Sequence, residues 1–360
     1  MIRFCTRCTI STARPRITFD AEGVCSACRF AEAKAQTDWA AREAELKRLC
    51  DWHRSGDGSF DVIVPVSGGK DGGFTAHQLK TVYGMHPLCV SFAPLLPTEI
   101  GKQNLAAFIA SGFDVIQGHP NGQAARKLAR LAFEHMGDPF QPFIYGQTHL
   151  PIRIATQERI GLVFWAEDGE AEYGGAVKVP RAKRSPEDHD KHYFSGKSPD
   201  FWEAYGISAK ELEFFQGPLH NGFQPESHFF GYYKPHDPQE NYYYCNEHTG
   251  FSPNPERTEG TYSKYASLDD RLDGLHYYLA YIKFGIGRAT SDAAHEIRDG
   301  KITREEGVAL VHKYDGEFPR KHFAECCEYM GITEESAMNI IEGWKSPEVW
   351  DGPNLRYRVA

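Results

Sequence analysis

From Phe60 to Glu167 the sequence alternates short apolar runs with longer amphipathic stretches. "FDVIVPV", "PLCVSFA", "FDVIQG" and "GLVFWAE" read as buried strands. Between them, "FTAHQLKTVYG", "GKQNLAAFIASG", "GQAARKLARLAFEHMG" and "LPIRIATQERI" read as helices. Strand and helix in this rhythm predict an α/β fold, a parallel sheet with helices on both faces. Ligands of such sheets bind at the carboxyl ends of the strands.

Before this core, residues 31–54 are rich in Ala, Glu, Lys and Arg and predict one amphipathic helix. After Glu167 the rhythm fails. Residues 168–260 are rich in Pro, Gly, His, Tyr and Phe and predict irregular structure with a few helices. Helical signals return from about Tyr262, with a capping box at Thr303 and Glu306. The expected organisation is a cysteine unit at 1–30 and an α/β domain at 31–170. An insertion and helical substrate-binding region follow at 171–345, then a tail at 346–360.

The first apolar run ends in "SGGKDGG", Ser67 to Gly73. Backbone N–H groups at a strand-to-helix turn point outward, and the helix dipole favours an anion there. Two common phosphate-loop patterns fail, however. Val64 stands where the first glycine of G-x-x-x-x-G-K-[ST] belongs, and Asp71 where its hydroxyl belongs. In G-x-G-x-x-G, Lys70 displaces the second glycine.

Cys5-x2-Cys8 and Cys25-x2-Cys28 are separated by sixteen residues. Two such turns bring four sulfurs to one centre, the spacing of a structural zinc site. An iron–sulfur cluster or a redox pair is the other reading. A closed four-thiolate site has no open position, so its expected role is folding or docking. The remaining five cysteines show no CxxC pair.

The formal charge of −9 argues against nucleic acid as the main partner. No run of about eighteen apolar residues predicts membrane insertion. The N-terminus carries no apolar signal core, so a cytoplasmic protein is expected.

S-G-G-K-D after a buried strand resembles the pyrophosphate loop (PP-loop) of the ATP-pyrophosphatase, or adenine-nucleotide α-hydrolase, superfamily. That resemblance implies ATP cleavage between its α and β phosphates. It places Ser67, Gly68, Gly69, Lys70 and Gly72 around the pyrophosphate and Asp71 at Mg²⁺. It also places the adenine against Ser91 and Phe92 at the second strand's end. The usual motif continues with Ser after Asp, where this chain has Gly72 and Gly73.

Four stretches together are similar to the N-acetyl sugar amidotransferase family of surface-polysaccharide and flagellin-sugar pathways. They are "CTRCTISTARPRITFDAEGVCSAC", "VPVSGGKDGG", "AEDGEAEYGG" and the long segment from "EGTYSKYASLDD" to "KYDGEFP". The resemblance implies a synthetase that adenylates the N-acetyl group of a sugar, often nucleotide-linked. Ammonia then displaces AMP to form an acetamidino sugar. It further implies a separate glutaminase and a cyclase-like ammonia-channel subunit as partners. Two other readings stay open: a PP-loop tRNA thiolase, and a non-catalytic nucleotide-binding subunit of a sugar-modifying complex.

Further candidates follow from position. Glu167, Asp168, Glu170 and Glu172 lie past the fourth strand, with Glu170 first in line as a metal or ribose contact. Gly285 and Gly287 precede a helix expected to open near Ser291, flanked by Lys283 and Arg288. That arrangement suits a substrate anion. His295 could do acid–base work or bind substrate.

Overall fold

The computed structural model describes residues 2–175, 180–218 and 222–360. Its centre is a five-stranded parallel sheet: β1 (Val62–Pro65), β2 (Pro87–Phe92), β3 (Asp114–Gly118), β4 (Leu162–Trp165) and β5 (Glu226–Phe229). The order is β3-β2-β1-β4-β5. This is the α/β fold expected from the sequence, with one strand more. β5 lies inside the stretch expected to be irregular, because Glu226, Ser227 and His228 give it no apolar signature.

Strand residues alternate between two cores, as the pleat demands. Ile63, Val90 and Val163 face one core; Val62, Val64, Cys89, Leu162 and Phe164 face the other. The second core is closed by α2 (Trp39–His53) and α3 (Lys70–Thr81), through Leu46 and Leu79, and by Phe108 of α4 (Glu99–Ala110). The first is closed by α5 (Gly122–Met136), α6 (Gln141–Gln157) and the C-terminal helices.

The segment expected as one helix over 31–54 is two. α1 (Ser26–Ala35) ends at Gln36, and α2 starts afresh because the Asp38 carboxylate accepts from Ala41 N at 3.0 Å.

Beyond β4 come the short helices α7 (Gly169–Glu172), α8 (Ala209–Leu212) and α9 (Phe230–Tyr233), then α10 (Pro238–His248). Five longer helices follow: α11 (Asp273–Phe284), α12 (Arg288–Arg298), α13 (Arg304–Tyr314), α14 (Arg320–Met330) and α15 (Glu334–Gly343). The Thr303–Glu306 capping box opens α13 as expected. A small hairpin, β6 (Trp350–Asp351) and β7 (Asn354–Leu355), occupies the tail. No helix among the described residues is long and apolar enough to cross a membrane.

In this strand order the chain reverses direction of winding at β1 and β4. The crevice at such a switch point is where ligands of open α/β sheets bind. The two turns that flank it are Ser67–Gly69 and the segment after Trp165.

Candidate active site

The loop after β1 is built by close approach. Gly68 has φ +87°, and a Cβ there would meet the Leu105 backbone nitrogen at 2.6 Å. Glycine is therefore required twice over, by conformation and by space. α3 opens at Lys70, with Gly69 as its N-cap. The sequence reading started this helix at Phe74, because Gly72 and Gly73 read as loop. They are helical instead, and their smallness lets α3 press on the strand end. A Cβ on Gly72 would lie 2.7 Å from the Pro65 carbonyl oxygen, and one on Gly73 would meet Cys245 Sγ at 3.3 Å.

Lys70 and Asp71 thus occupy the first helical turn. Their side chains form an ion pair at 2.5 Å. Asn241 of α10 donates its side-chain amide to Asp71 Oδ1 at 2.9 Å. Burial works to raise the Asp71 pKa, but Lys70, His236 and Asn241 outweigh it and hold it at about 2. Asp71 is therefore an anion throughout the physiological range, as a cation ligand must be.

The loop faces a cavity of about 180 Å³ lined by Ser67, Lys70, Asn104, Tyr265, Asp269 and Arg288. A smaller neighbour of about 50 Å³ is lined by Lys70, Tyr173, Tyr265, Arg288, His295 and Lys301, among others. Asp269 reaches the loop because Gly101 has no side chain; a Cβ there would strike the Asp269 Cα at 2.6 Å. Burial, with Asp273 adding, pushes Asp269 up to about 6.

The four acids after β4 separate by partner. Asp168 caps α7 and pairs with Arg181 at 2.5 Å. Glu170 takes a bidentate bond from Arg16, at 2.6 and 3.1 Å, so it ties the cysteine unit to this loop. Glu172 pairs with Lys34 at 3.1 Å. Burial opposes its charge, but His295 and Lys34 hold it at about 2. Glu167 feels the charges of Lys70 and Asp71. Burial raises its pKa and Asp71 adds to that, against His236 and Lys70.

Ser91 and Phe92 are buried in β2 and pair with Gln117 and Gly118 of β3. β1 has already ended at Pro65, opposite Val90, so the side of β2 next to the loop is unladdered here.

The C-terminal candidates do not act as one group. α12 opens at Arg288 rather than Ser291. Its start already holds an anion, the chain's own Asp315, which accepts from Gly287 N at 3.1 Å and Thr290 N at 3.0 Å. The helix start expected to seat a substrate anion is therefore filled from within. Lys283 points elsewhere, its Nζ donating to Met136 O at 3.1 Å. Arg288 does line both cavities. Its Nε donates to Asp292 at 2.9 Å, and its guanidinium lies 4.4 Å from the Tyr277 ring. His295 lines the smaller cavity, with Nδ1 2.8 Å from Asp299. Burial disfavours its charge, but Asp299 and Glu172 prevail and raise its pKa.

Cys5, Cys8, Cys25 and Cys28 are buried with all four sulfurs within 4.8 Å of one another, a metal-binding unit. Cys5 and Cys28 sulfurs lie 3.8 Å apart, and those of Cys8 and Cys25 3.7 Å. The edge of a tetrahedron with Zn–S bonds of about 2.3 Å is about 3.8 Å, so one ion fits the cage. The unit rests on two elements of the cleft. Thr9 Oγ1 donates to Thr290 O of α12 at 3.1 Å, and Arg14 donates to Gly174 O at 3.3 Å.

With this geometry in hand, comparison with known proteins bears on one region. Residues 259–359 match the family described as LPS biosynthesis protein WbpG-like, C-terminal domain. No curated protein matches the sequence. Among solved structures, the U34-tRNA thiolase NcsA from Methanococcus maripaludis, with its [4Fe-4S] cluster, is similar at 11% identity. The alignment covers 73% of this chain and 79% of that one, with a TM-score of 0.32, too low to carry an argument.

The WbpG-like region supplies Tyr265, Asp269, Arg288 and His295 to the cleft. The sequence reading missed Asp269 and Tyr265 as site residues, although both lie in the quoted "YASLDD" stretch. It also missed Asn241, whose bond to Asp71 spans 170 residues of chain. Nothing local marks that residue as a partner of the loop.

Proposed function

We propose that this protein uses ATP to activate the acetamido group of a sugar, one that is nucleotide-linked, as an AMP- and pyrophosphate-forming amidotransferase. The observation that carries the reading is the Ser67–Asp71 loop at the carboxyl end of β1, facing a WbpG-like region across one cleft.

An amide is a poor electrophile. Its carbonyl oxygen bonds to the α-phosphorus of ATP, and the bond to the β-phosphate oxygen breaks, releasing pyrophosphate. The oxygen is then a good leaving group. Ammonia adds to the carbon, a proton is lost and AMP departs, leaving an amidine. Ser67, Gly68 and Gly69 frame the pyrophosphate position and Lys70 neutralises its charge, while Gly72, first expected there too, backs the loop against β1. Ser91 and Phe92 border the adenine. Asp71, with Glu167 in the role first expected of Glu170, would hold Mg²⁺, which screens phosphate charge when bound. Zinc suits the cysteine cage, because the sulfur separations fit one tetrahedral ion. Ammonia comes from a separate glutaminase through a cyclase-like channel subunit.

The surroundings of Cys245, beside the loop, do not favour sulfur transfer. Cys245, whose Sγ donates to Lys70 O at 3.0 Å, is pushed up to about 12 by burial. It is a thiol near neutral pH, unsuited to carry sulfur as a nucleophile.

The test is pyrophosphate release from ATP with ammonium and a panel of N-acetyl sugar nucleotides. Release should require both, and the product should be lighter by the difference between O and NH. Intact ATP binding without release favours a non-catalytic subunit, and thiolation of tRNA favours a thiolase.

A further inference from the structure

The two cavities beside the loop share Lys70, Tyr265, Ala266 and Arg288 in their linings. Lys70 approaches that shared wall from α3, and Arg288 approaches it from α12. We infer that Arg288 is a catalytic residue at the point where the nucleotide meets its acceptor, contacting the α-phosphate during transfer. This assignment rests on the ATP-activating reading above.

Position gives the first argument. The larger cavity contains the whole Ser67–Asp71 loop and so takes the pyrophosphate end of ATP. The smaller one contains none of the loop except Lys70, and is lined instead by residues of the insertion and of α12. A group passing from nucleotide to acceptor crosses between the two. In the proposed reaction that group is the adenylyl unit, at whose α-phosphorus one P–O bond forms and another breaks.

Preorganisation gives the second. A charge that stabilises a transition state acts best when already aimed and desolvated. Arg288 is anchored at Nε by Asp292 and lies against the face of Tyr277. Its side chain is 21% exposed. Burial opposes its charge, yet Asp292 and Asp273 outweigh that and keep it a cation. One edge of the guanidinium is held, and the group as a whole lines both cavities.

Asp315 gives the third. With this internal carboxylate at the start of α12, the Gly287 and Thr290 amides are not available to an incoming phosphate. What α12 offers the cleft at this end is the Arg288 side chain.

The step balances without a further reactant. The acceptor oxygen forms a bond to the α-phosphorus, and pyrophosphate leaves with the electron pair of the broken P–O bond. Arg288 donates hydrogen bonds to the α-phosphate oxygens and transfers no proton.

The experiment uses the full chain, with Arg288→Gln and Arg288→Lys, and the N-acetyl sugar nucleotide that supports wild-type turnover. Binding of α,β-methylene-ATP is measured alongside, and metal content and circular dichroism report folding. For Arg288→Gln, kcat of pyrophosphate release should fall by about 100-fold or more. The Kd of the ATP analogue and the KM of the sugar should stay within about threefold. Arg288→Lys, which keeps the charge, should recover about tenfold of the lost rate. Retained kcat with a raised sugar KM overturns the inference, making Arg288 a binding group. Loss of analogue affinity in step with kcat overturns it too. If the wild type releases no pyrophosphate with any sugar, the ATP-activating reading fails first and the inference falls with it.

Discussion

Gly72 lies against the carbonyl oxygen of Pro65, so close that a Cβ on the glycine would come within 2.7 Å of it. The contact joins the first turn of α3 to the end of β1.

A serine at position 72 should therefore harm the protein. Gly72→Ser forces backbone apart at the loop and should cost about 1–3 kcal/mol. Chemical denaturation of the variant should show a lower midpoint, and its affinity for ATP should fall rather than rise.

Lys70→Ala removes the cation of the loop. Pyrophosphate release should drop by about 100-fold or more, while the metal content of the cysteine unit stays at the wild-type level. Steady-state kinetics and metal analysis of one preparation check both.

Asn241→Leu leaves Asp71 without its amide partner across the cleft. A less well oriented carboxylate should need more Mg²⁺, raising the half-saturating concentration by about fivefold, the loss of roughly one hydrogen bond to a charged group. Titration of activity with Mg²⁺ at saturating ATP measures this. An unchanged Mg²⁺ curve would separate Asp71 from the metal.

The metal unit supports two walls of the cleft through Thr9, Arg14 and Arg16. Cys25→Ser should lose the metal and lower the thermal midpoint, by roughly 5 °C for each 2 kcal/mol lost. Wild-type protein should be colourless and carry zinc by elemental analysis. Iron in place of zinc by the same analysis would oppose the zinc reading.

His276 Nδ1 and Asp138 Oδ1 lie 2.9 Å apart between α11 and the turn before α6. Burial disfavours both charges, but each partner prevails on the other, raising the histidine pKa from 6.5 and lowering the aspartate from 3.8. The stability the histidine contributes is present below 6.5 and is lost as pH rises through its raised folded value. The stability the aspartate contributes is present above 3.8 and is lost as pH falls through its lowered one. Asp138→Asn should thus cost most, about 2 kcal/mol, between about pH 4 and 6.5. Denaturation of both proteins from pH 3 to 9 checks the window.

The sequence alone determined the features that depend on neighbours in the chain. Apolar runs of strand length and amphipathic helices specified the α/β sheet, since burial of a strand or a helix face is written in its own periodicity. Two CxxC turns announced the metal cage, and Ser67–Asp71 announced the glycine loop after β1, because both are made by a few consecutive residues. Tertiary structure decided which distant groups join them. Arg16 of the cysteine unit claims Glu170, while Glu167 feels the charges of Lys70 and Asp71. Asp315, 25 residues beyond Thr290, fills the helix start that was expected to seat a substrate anion. Asn241 and Arg288 meet the loop across long separations in the chain. Such pairings come from the packing of whole helices against the sheet, and no local propensity or spacing encodes them.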